Sequence, residues 1–211
     1  MRLASDFAAL AHRHQDPPAA APHGGPWTTW LVLGGRGAGK TRLGAEWVRA
    51  LAHARTPYAT DRHRRIALVG DTEHDVREVM IEGPSGLLRI SPRDERPSWI
   101  ATRRLLQWPN GAVAQAFSAE DPDSLRGPQF DAAWCDELAK WRQAETAFDT
   151  LQFALRLGPH PRQLVTTTPR PIPLLKRLIA DPRTAVTRAP THANAAYLSP
   201  SISCRPSRVP A

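Results

Sequence analysis

The octapeptide Gly34-Gly35-Arg36-Gly37-Ala38-Gly39-Lys40-Thr41 satisfies the pattern G-x-x-x-x-G-K-[ST] at every defined position, and no other feature of the chain narrows its fold as far. The pattern has a physical basis. Glycines let the backbone curl so that successive N–H groups surround phosphate oxygens, and a helix that starts at the end of the loop aims its positive N-terminus at the same anion. Lys40 then carries charge to the β- and γ-phosphates, and the Thr41 hydroxyl is a ligand for Mg²⁺. Such a loop works only between a buried strand and a helix. Thr28 to Leu33 is a run of β-formers, and after the loop Leu43, Trp47, Val48 and Leu51 recur at helical spacing up to Ala54. Gly34 through Thr41 is therefore the expected phosphate site, with ATP and Mg²⁺ as its ligands.

The same alternation continues downstream. Ile66 to Val69 reads as a strand and Glu73 to Ile81 as a helix. Arg104 to Trp108 and Ala112 to Phe117, separated by Pro109-Asn110-Gly111, read as a hairpin. Phe130 to Cys135 is another apolar strand, Lys140 to Leu157 a long helix, and Gln163 to Thr168 a strand stopped by Pro169. Leu174 to Ile179 is expected to be helical and Ala185 to Arg188 extended. Strands alternating with helices predict an α/β fold with a mainly parallel sheet and helices on both faces. No internal repeat is present.

Composition excludes several classes of function. The 211 residues form a chain of one ordinary domain with tails, and no apolar stretch reaches the length needed to span a bilayer. The N-terminal segment has no continuous apolar core, being broken by Asp6, His12, Arg13, His14 and Asp16, so a cytoplasmic protein is expected. Two cysteines, Cys135 and Cys204, support neither a disulfide framework nor a Cys-rich zinc site. The net charge of +8 attracts polyanions. It is carried almost entirely by arginine, since only Lys40, Lys140 and Lys176 are lysines, a bias that a GC-rich genome also produces.

A phosphate loop alone does not distinguish a kinase from a GTPase or a motor; the second acidic site decides more. Ala132-Ala133-Trp134-Cys135-Asp136-Glu137 is an apolar strand ending in two carboxylates, and the carboxyl ends of strands are where a doubly wound sheet places its ligands. Asp136 suits the carboxylate that holds Mg²⁺, and Glu137 the base that activates the attacking water, a pairing that favours hydrolysis. At the end of the next strand Thr166, Thr167 and Thr168 place hydroxyls where a γ-phosphate can be sensed. An arginine is expected to stabilise the transition state; Arg36, inside the loop, and Arg126, in Ser124-Leu125-Arg126-Gly127-Pro128, are the candidates. Gln15, in a Pro-rich lead-in, is a candidate for adenine contact.

Together these segments resemble the large terminase subunit of tailed phages, in particular its prophage and gene-transfer-agent branch. The residues that carry the resemblance are Gly34 to Thr41, Val69-Gly70-Asp71-Thr72, Ser124 to Asp131, Trp134 to Ala139 and Thr166 to Pro171, in the family's order. The resemblance implies a P-loop ATPase of the additional-strand, RecA-like type that drives double-stranded DNA through a portal into a procapsid. It implies that Gly34 to Thr41 are Walker A, that Asp136 and Glu137 are Walker B with its catalytic glutamate, and that Thr166 to Thr168 are the coupling motif. Arg36 matches the arginine often found in the loop. The portal protein, a small terminase subunit and other copies of the chain in a ring are the implied partners.

The expected organisation is a flexible lead-in over 1–26, an ATPase domain over 27–198 and a disordered tail over 199–211. Large terminase subunits resemble two-domain enzymes in which a nuclease follows the ATPase. The tail holds no Asp or Glu, so no two-metal carboxylate site can be built from it and no nuclease is expected in this chain. Its Ser/Pro/Arg composition reads as a frame-shifted or fragmentary end. Two other readings share the same motifs: a helicase-like nucleic-acid-dependent ATPase, and a remnant that binds nucleotide without motor output.

Overall fold

A computed structural model describes residues 7–189. The tail expected at 199–211, and residues 190–198 of the expected domain, lie outside the described residues. Among the described residues eight strands form one sheet: β1 (Thr29–Gly34), β2 (Arg65–Gly70), β3 (Ser98–Ile100), β4 (Leu105–Gln107), β5 (Val113–Ser118), β6 (Ala132–Asp136), β7 (Arg162–Thr167) and β8 (Thr184–Ala189). Their order across the sheet is β3-β4-β5-β2-β6-β7-β1-β8. From β5 to β8 every pairing is parallel, and β4 and β3 extend the β5 edge antiparallel.

The position of β7 defines the type of fold. It lies between β1, which leads into the phosphate loop, and β6, which ends in the acidic pair. A strand inserted between those two is the additional strand of the RecA-like P-loop class, as expected. All six parallel strands run the same way, so the loop after β1 and the carboxylates after β6 emerge at one edge of the sheet.

Both faces of the sheet are covered, which is why its central strands are apolar without alternation. Helix α1 (Lys40–His53) covers one face, where Leu43, Trp47 and Leu51 pack against Trp30, Val32, Leu68, Trp134 and Leu164. Helices α4 (Ala144–Ala154) and α5 (Pro173–Ala180) cover the other, where Phe148, Leu151, Leu174 and Leu178 meet Leu31, Val69, Cys135 and Val165. Each fully buried Leu or Val contributes about 1.5–3 kcal/mol. Glu46, on the inner half of α1, is 5% exposed and neutralised by Arg42 at 2.7 Å and Arg49 at 2.8 Å.

Several elements differ from the sequence reading. The segment expected as one helix over Lys140 to Leu157 opens with a 3-10 turn at Leu138–Lys140, and α4 starts only at Ala144. Glu137 takes a left-handed conformation (φ 51°, ψ 40°) and Trp141 an extended one, which breaks the helical path. Helix α2 is a single α-turn, Glu73–Asp75, capped by the Thr72 hydroxyl, which then widens into a π-helix over Val76–Ile81. Strand β3 and helix α3 (Leu87–Ile90) are three and four residues long, too short for periodicity to show.

The lead-in is built into the domain from Arg13 onward. His14 and Gln15, in a 3-10 turn, are buried, and the Tyr58 hydroxyl donates to Gln15 O at 3.0 Å. Trp27 Nε1 donates to Pro18 O at 2.9 Å. Of the flexible segment expected over 1–26, residues 13 to 26 are thus anchored by hydrogen bonds that composition alone does not reveal.

Candidate nucleotide site

Strand β1 delivers the chain into the loop at Gly34, and Gly37 and Gly39 have φ of 75° and 73°, a region that residues with a Cβ adopt only at a cost. Gly39 caps α1, and the first helical bond runs from Leu43 N–H to Gly39 O at 3.0 Å. The N–H groups of Lys40, Thr41 and Arg42 therefore have no partner within the helix and are available to an anion. The lead-in holds this loop from behind: His14 Nε2 donates to Ala38 O at 3.0 Å, and Gln15 Nε2 to Gly39 O at 3.3 Å. Burial lowers the His14 pKa, so the ring is a neutral donor.

Lys40 is 7% exposed, and its three ammonium protons are directed at the site. Two go to Gly34 O at 2.9 Å and Gly35 O at 3.0 Å. The third faces Glu137 Oε1 at 3.2 Å and Thr168 Oγ1 at 3.4 Å. Glu137 reaches the loop because its left-handed backbone turns the chain at the end of β6; for a non-glycine residue this costs about 1–2 kcal/mol. The Thr168 N–H at 3.3 Å and hydroxyl at 3.2 Å hold its other carboxylate oxygen. Strain of this kind persists where the surroundings over-determine it, and here an ammonium, an amide and a hydroxyl do so.

Asp136 precedes it on the strand and is 6% exposed. Its Oδ1 accepts the Thr166 hydroxyl at 2.6 Å, across the β6–β7 register in which Asp136 is paired with Thr166. Trp141 Nε1 donates to the Asp136 carbonyl at 3.0 Å, and the Thr167 hydroxyl accepts Ala139 N–H at 3.0 Å. Burial pushes the Asp136 carboxyl up to about 6, the Thr166 hydrogen bond opposing it. Among the described residues no cation forms an ion pair with Asp136. A buried carboxylate without a direct ion pair, its charge eased only by the nearby Lys40 and Lys140, at the same sheet edge as the Thr41 hydroxyl, is the oxygen donor chemistry that suits Mg²⁺; the residues fit the ion.

Residues 31–197 match the family model described as "Terminase large subunit, T4likevirus-type, N-terminal". The chain belongs to the large terminase family. The match covers the N-terminal domain of the large subunit. Among solved structures, the ATPase domain of the Thermus phage P74-26 large terminase is 15% identical, with a TM-score of 0.60 over 90% of this chain and 86% of that one. The large terminase of the thermophilic bacteriophage D6E, solved in complex with ADP, gives 16% and 0.64 over 94% of this chain and 46% of that one. That of bacteriophage HK97 gives 20% and 0.59 over 79% and 36%. The chain thus spans less than half the length of the last two. At such identities the likeness is one of fold. No curated protein matches the sequence.

In this terminase domain Lys40, Glu137 and Thr168 are in mutual contact, and Asp136 is linked to Thr166 beside them. The arginines are not drawn in. Arg36 is exposed in the loop with no ion-pair partner among the described residues. Arg126 is 71% exposed and pairs with Asp123 at 2.8 Å, and among the described residues it has no ion pair with the acidic residues at the end of β6. Gln15 has both ends of its amide engaged, by Gly39 O and by His12 N–H, so it braces the loop instead of presenting a free amide. Sequence reading missed His14 and Trp134; the only signal for Trp134 is an indole two residues before Asp136, on the same face of β6. A cleft of about 820 Å³ on the flank of α1 lies away from this chemistry, and its Glu46, Arg49, Arg55 and Glu95 are paired with one another.

Proposed function

We propose that this domain is an ATP-hydrolysing motor that translocates double-stranded DNA into a procapsid through the portal. The observation that carries the reading is the junction of Lys40, Glu137 and Thr168 at the end of the sheet where Asp136 lies buried. The Gly34–Thr41 loop binds the phosphates through its backbone N–H groups, and Lys40 exchanges its Glu137 contact for phosphate oxygens. Thr41 and Asp136 would hold Mg²⁺, which neutralises phosphate charge when bound. Glu137, released from Lys40, accepts the proton of the attacking water. Thr168 touches Glu137 and Lys40 together, so strand β7 responds to whether phosphate lies between them.

Arg126, outside its own site and highly exposed, is suited to stabilise charge in the site of a neighbouring copy, and Arg36 to contact phosphate from within the loop. Contacts to DNA are expected to be mostly to phosphates and independent of sequence. The ADP held by the D6E enzyme supports nucleotide as the ligand of this loop. The test is ATP turnover by purified protein with and without double-stranded DNA. Lys40→Ala is expected to abolish nucleotide binding. Glu137→Gln is expected to keep binding and lose turnover by about 10²-fold or more; turnover at the native rate in that variant would remove Glu137 from the mechanism.

A further inference from the structure

We propose that Trp134 is a positioning residue for the metal-binding carboxylate, acting through Thr166. The inference rests on the reading of Asp136 as the Mg²⁺ carboxylate and concerns what orients it. Trp134 and Asp136 are two residues apart on β6 and project to the same face, the one covered by α1. Across the parallel register Thr166 is paired with Asp136. The Trp134 indole N–H donates to Thr166 Oγ1 at 3.0 Å, and Thr166 donates onward to Asp136 Oδ1 at 2.6 Å. Trp134 and Thr166 are both 0% exposed, so no water competes for either bond.

The direction of the relay follows from the groups themselves. An indole nitrogen only donates, whereas a hydroxyl has one proton to give and lone pairs to receive. With Trp134 donating into a lone pair, the Thr166 proton is left for another partner, and two acceptors are in reach: Asp136 Oδ1 and the Cys135 carbonyl at 3.2 Å. The shorter, charge-assisted bond to the carboxylate prevails. One oxygen of Asp136 is thereby fixed.

The indole is also seated on α1. A Cβ at Gly44 would lie 2.0 Å from Trp134 Cε2 and 2.4 Å from its Nε1, so the ring lies directly against the backbone of the helix that begins at Lys40 and Thr41. Trp134 therefore ties three elements at one point: the Walker A helix, the Walker B strand and the coupling strand. A ring present only to fill the core would need neither its N–H aimed at this hydroxyl nor a glycine beneath it.

The test is binding of a fluorescent ADP derivative to the full chain, in EDTA and across a Mg²⁺ titration, with thermal melting alongside. Trp134→Phe is expected to leave affinity in EDTA within about twofold, and the isosteric Thr166→Val is measured beside it. Each should raise the Mg²⁺ concentration for half-maximal tightening by about tenfold, as loss of an outer-shell partner does. The double variant should be no worse than either single one, because both break the same relay, and Thr166→Ser should restore the native value. An unchanged Mg²⁺ midpoint in Trp134→Phe, with only a lower melting temperature, would reduce the indole to packing. A shift in Trp134→Phe that Thr166→Val does not share would overturn the route through Thr166. Wild-type binding that is indifferent to Mg²⁺ would overturn both this proposal and the metal role of Asp136.

Discussion

Burial raises the Asp136 carboxyl from its ordinary 3.8 to about 6, against the pull of the Thr166 hydroxyl. A raised carboxyl binds its proton more tightly in the folded state than in the unfolded one. Stability then falls as pH rises between 3.8 and about 6, and the cost is fully present above that window. The shift corresponds to a cost on the order of 3 kcal/mol at neutral pH. Asp136→Asn is therefore expected to stabilise the domain against urea at pH 7.5, with roughly half the gain at pH 5; a gain equal at both would show that ionisation is not its source. On the proposed metal role of Asp136, a bound divalent cation would offset this cost. At this scale the sequence was informative about identity and silent about state. Asp136 and Glu137 are legible from an apolar strand ending in two acids. The left-handed Glu137, and its contact with Lys40, depend on residues 97 and 31 positions away, respectively Lys40 and Thr168.

Helix α1 shows how an element departs from its intrinsic propensities. Gly44 lies in its interior, where Gly→Ala ordinarily adds up to about 1 kcal/mol. Here the added methyl would meet the Trp134 ring at 2.0 Å. Gly44→Ala is accordingly expected to destabilise by about 1–3 kcal/mol, the range for overpacking, and to weaken Mg²⁺-dependent nucleotide binding through the displaced ring. Denaturant unfolding of Gly44→Ala with and without Trp134→Leu checks this: the smaller side chain should recover part of the loss, and a stabilising Gly44→Ala would refute the contact. Strand and helix positions were largely legible because α1 and the parallel strands have strong local patterns. The pieces that were not legible are short or irregular. Strand β3 is fixed by pairing with β4, α2 widens into a π-helix, and α4 starts late because Glu137 and Trp141 interrupt it.

In the whole molecule, the shared edge of the sheet gathers the Gly34–Thr41 loop, the acidic pair and Thr168, while Arg126 stands apart and exposed. That division predicts interdependent copies. Lys40→Ala and Arg126→Ala are each expected to be inactive alone, and a 1:1 mixture to recover roughly a quarter of native turnover, since an intact loop then meets an intact arginine at one interface in four. A mixture as inactive as its parts would exclude Arg126 as a residue shared between copies. Among the described residues no helix is long and apolar enough to cross a membrane. The sequence by itself determined the phosphate loop, the acidic strand end and the α/β alternation, because each is written in neighbouring residues: glycine freedom, strand-end carboxylates, helical spacing. Only the tertiary structure decided that β7 is inserted between β1 and β6, that His14 and Gln15 brace the loop, and that Trp134, Thr166 and Asp136 form one relay. Those features join residues some 24 to 32 positions apart or more, and parallel strands acquire their register only when the intervening helices pack, which no local pattern specifies.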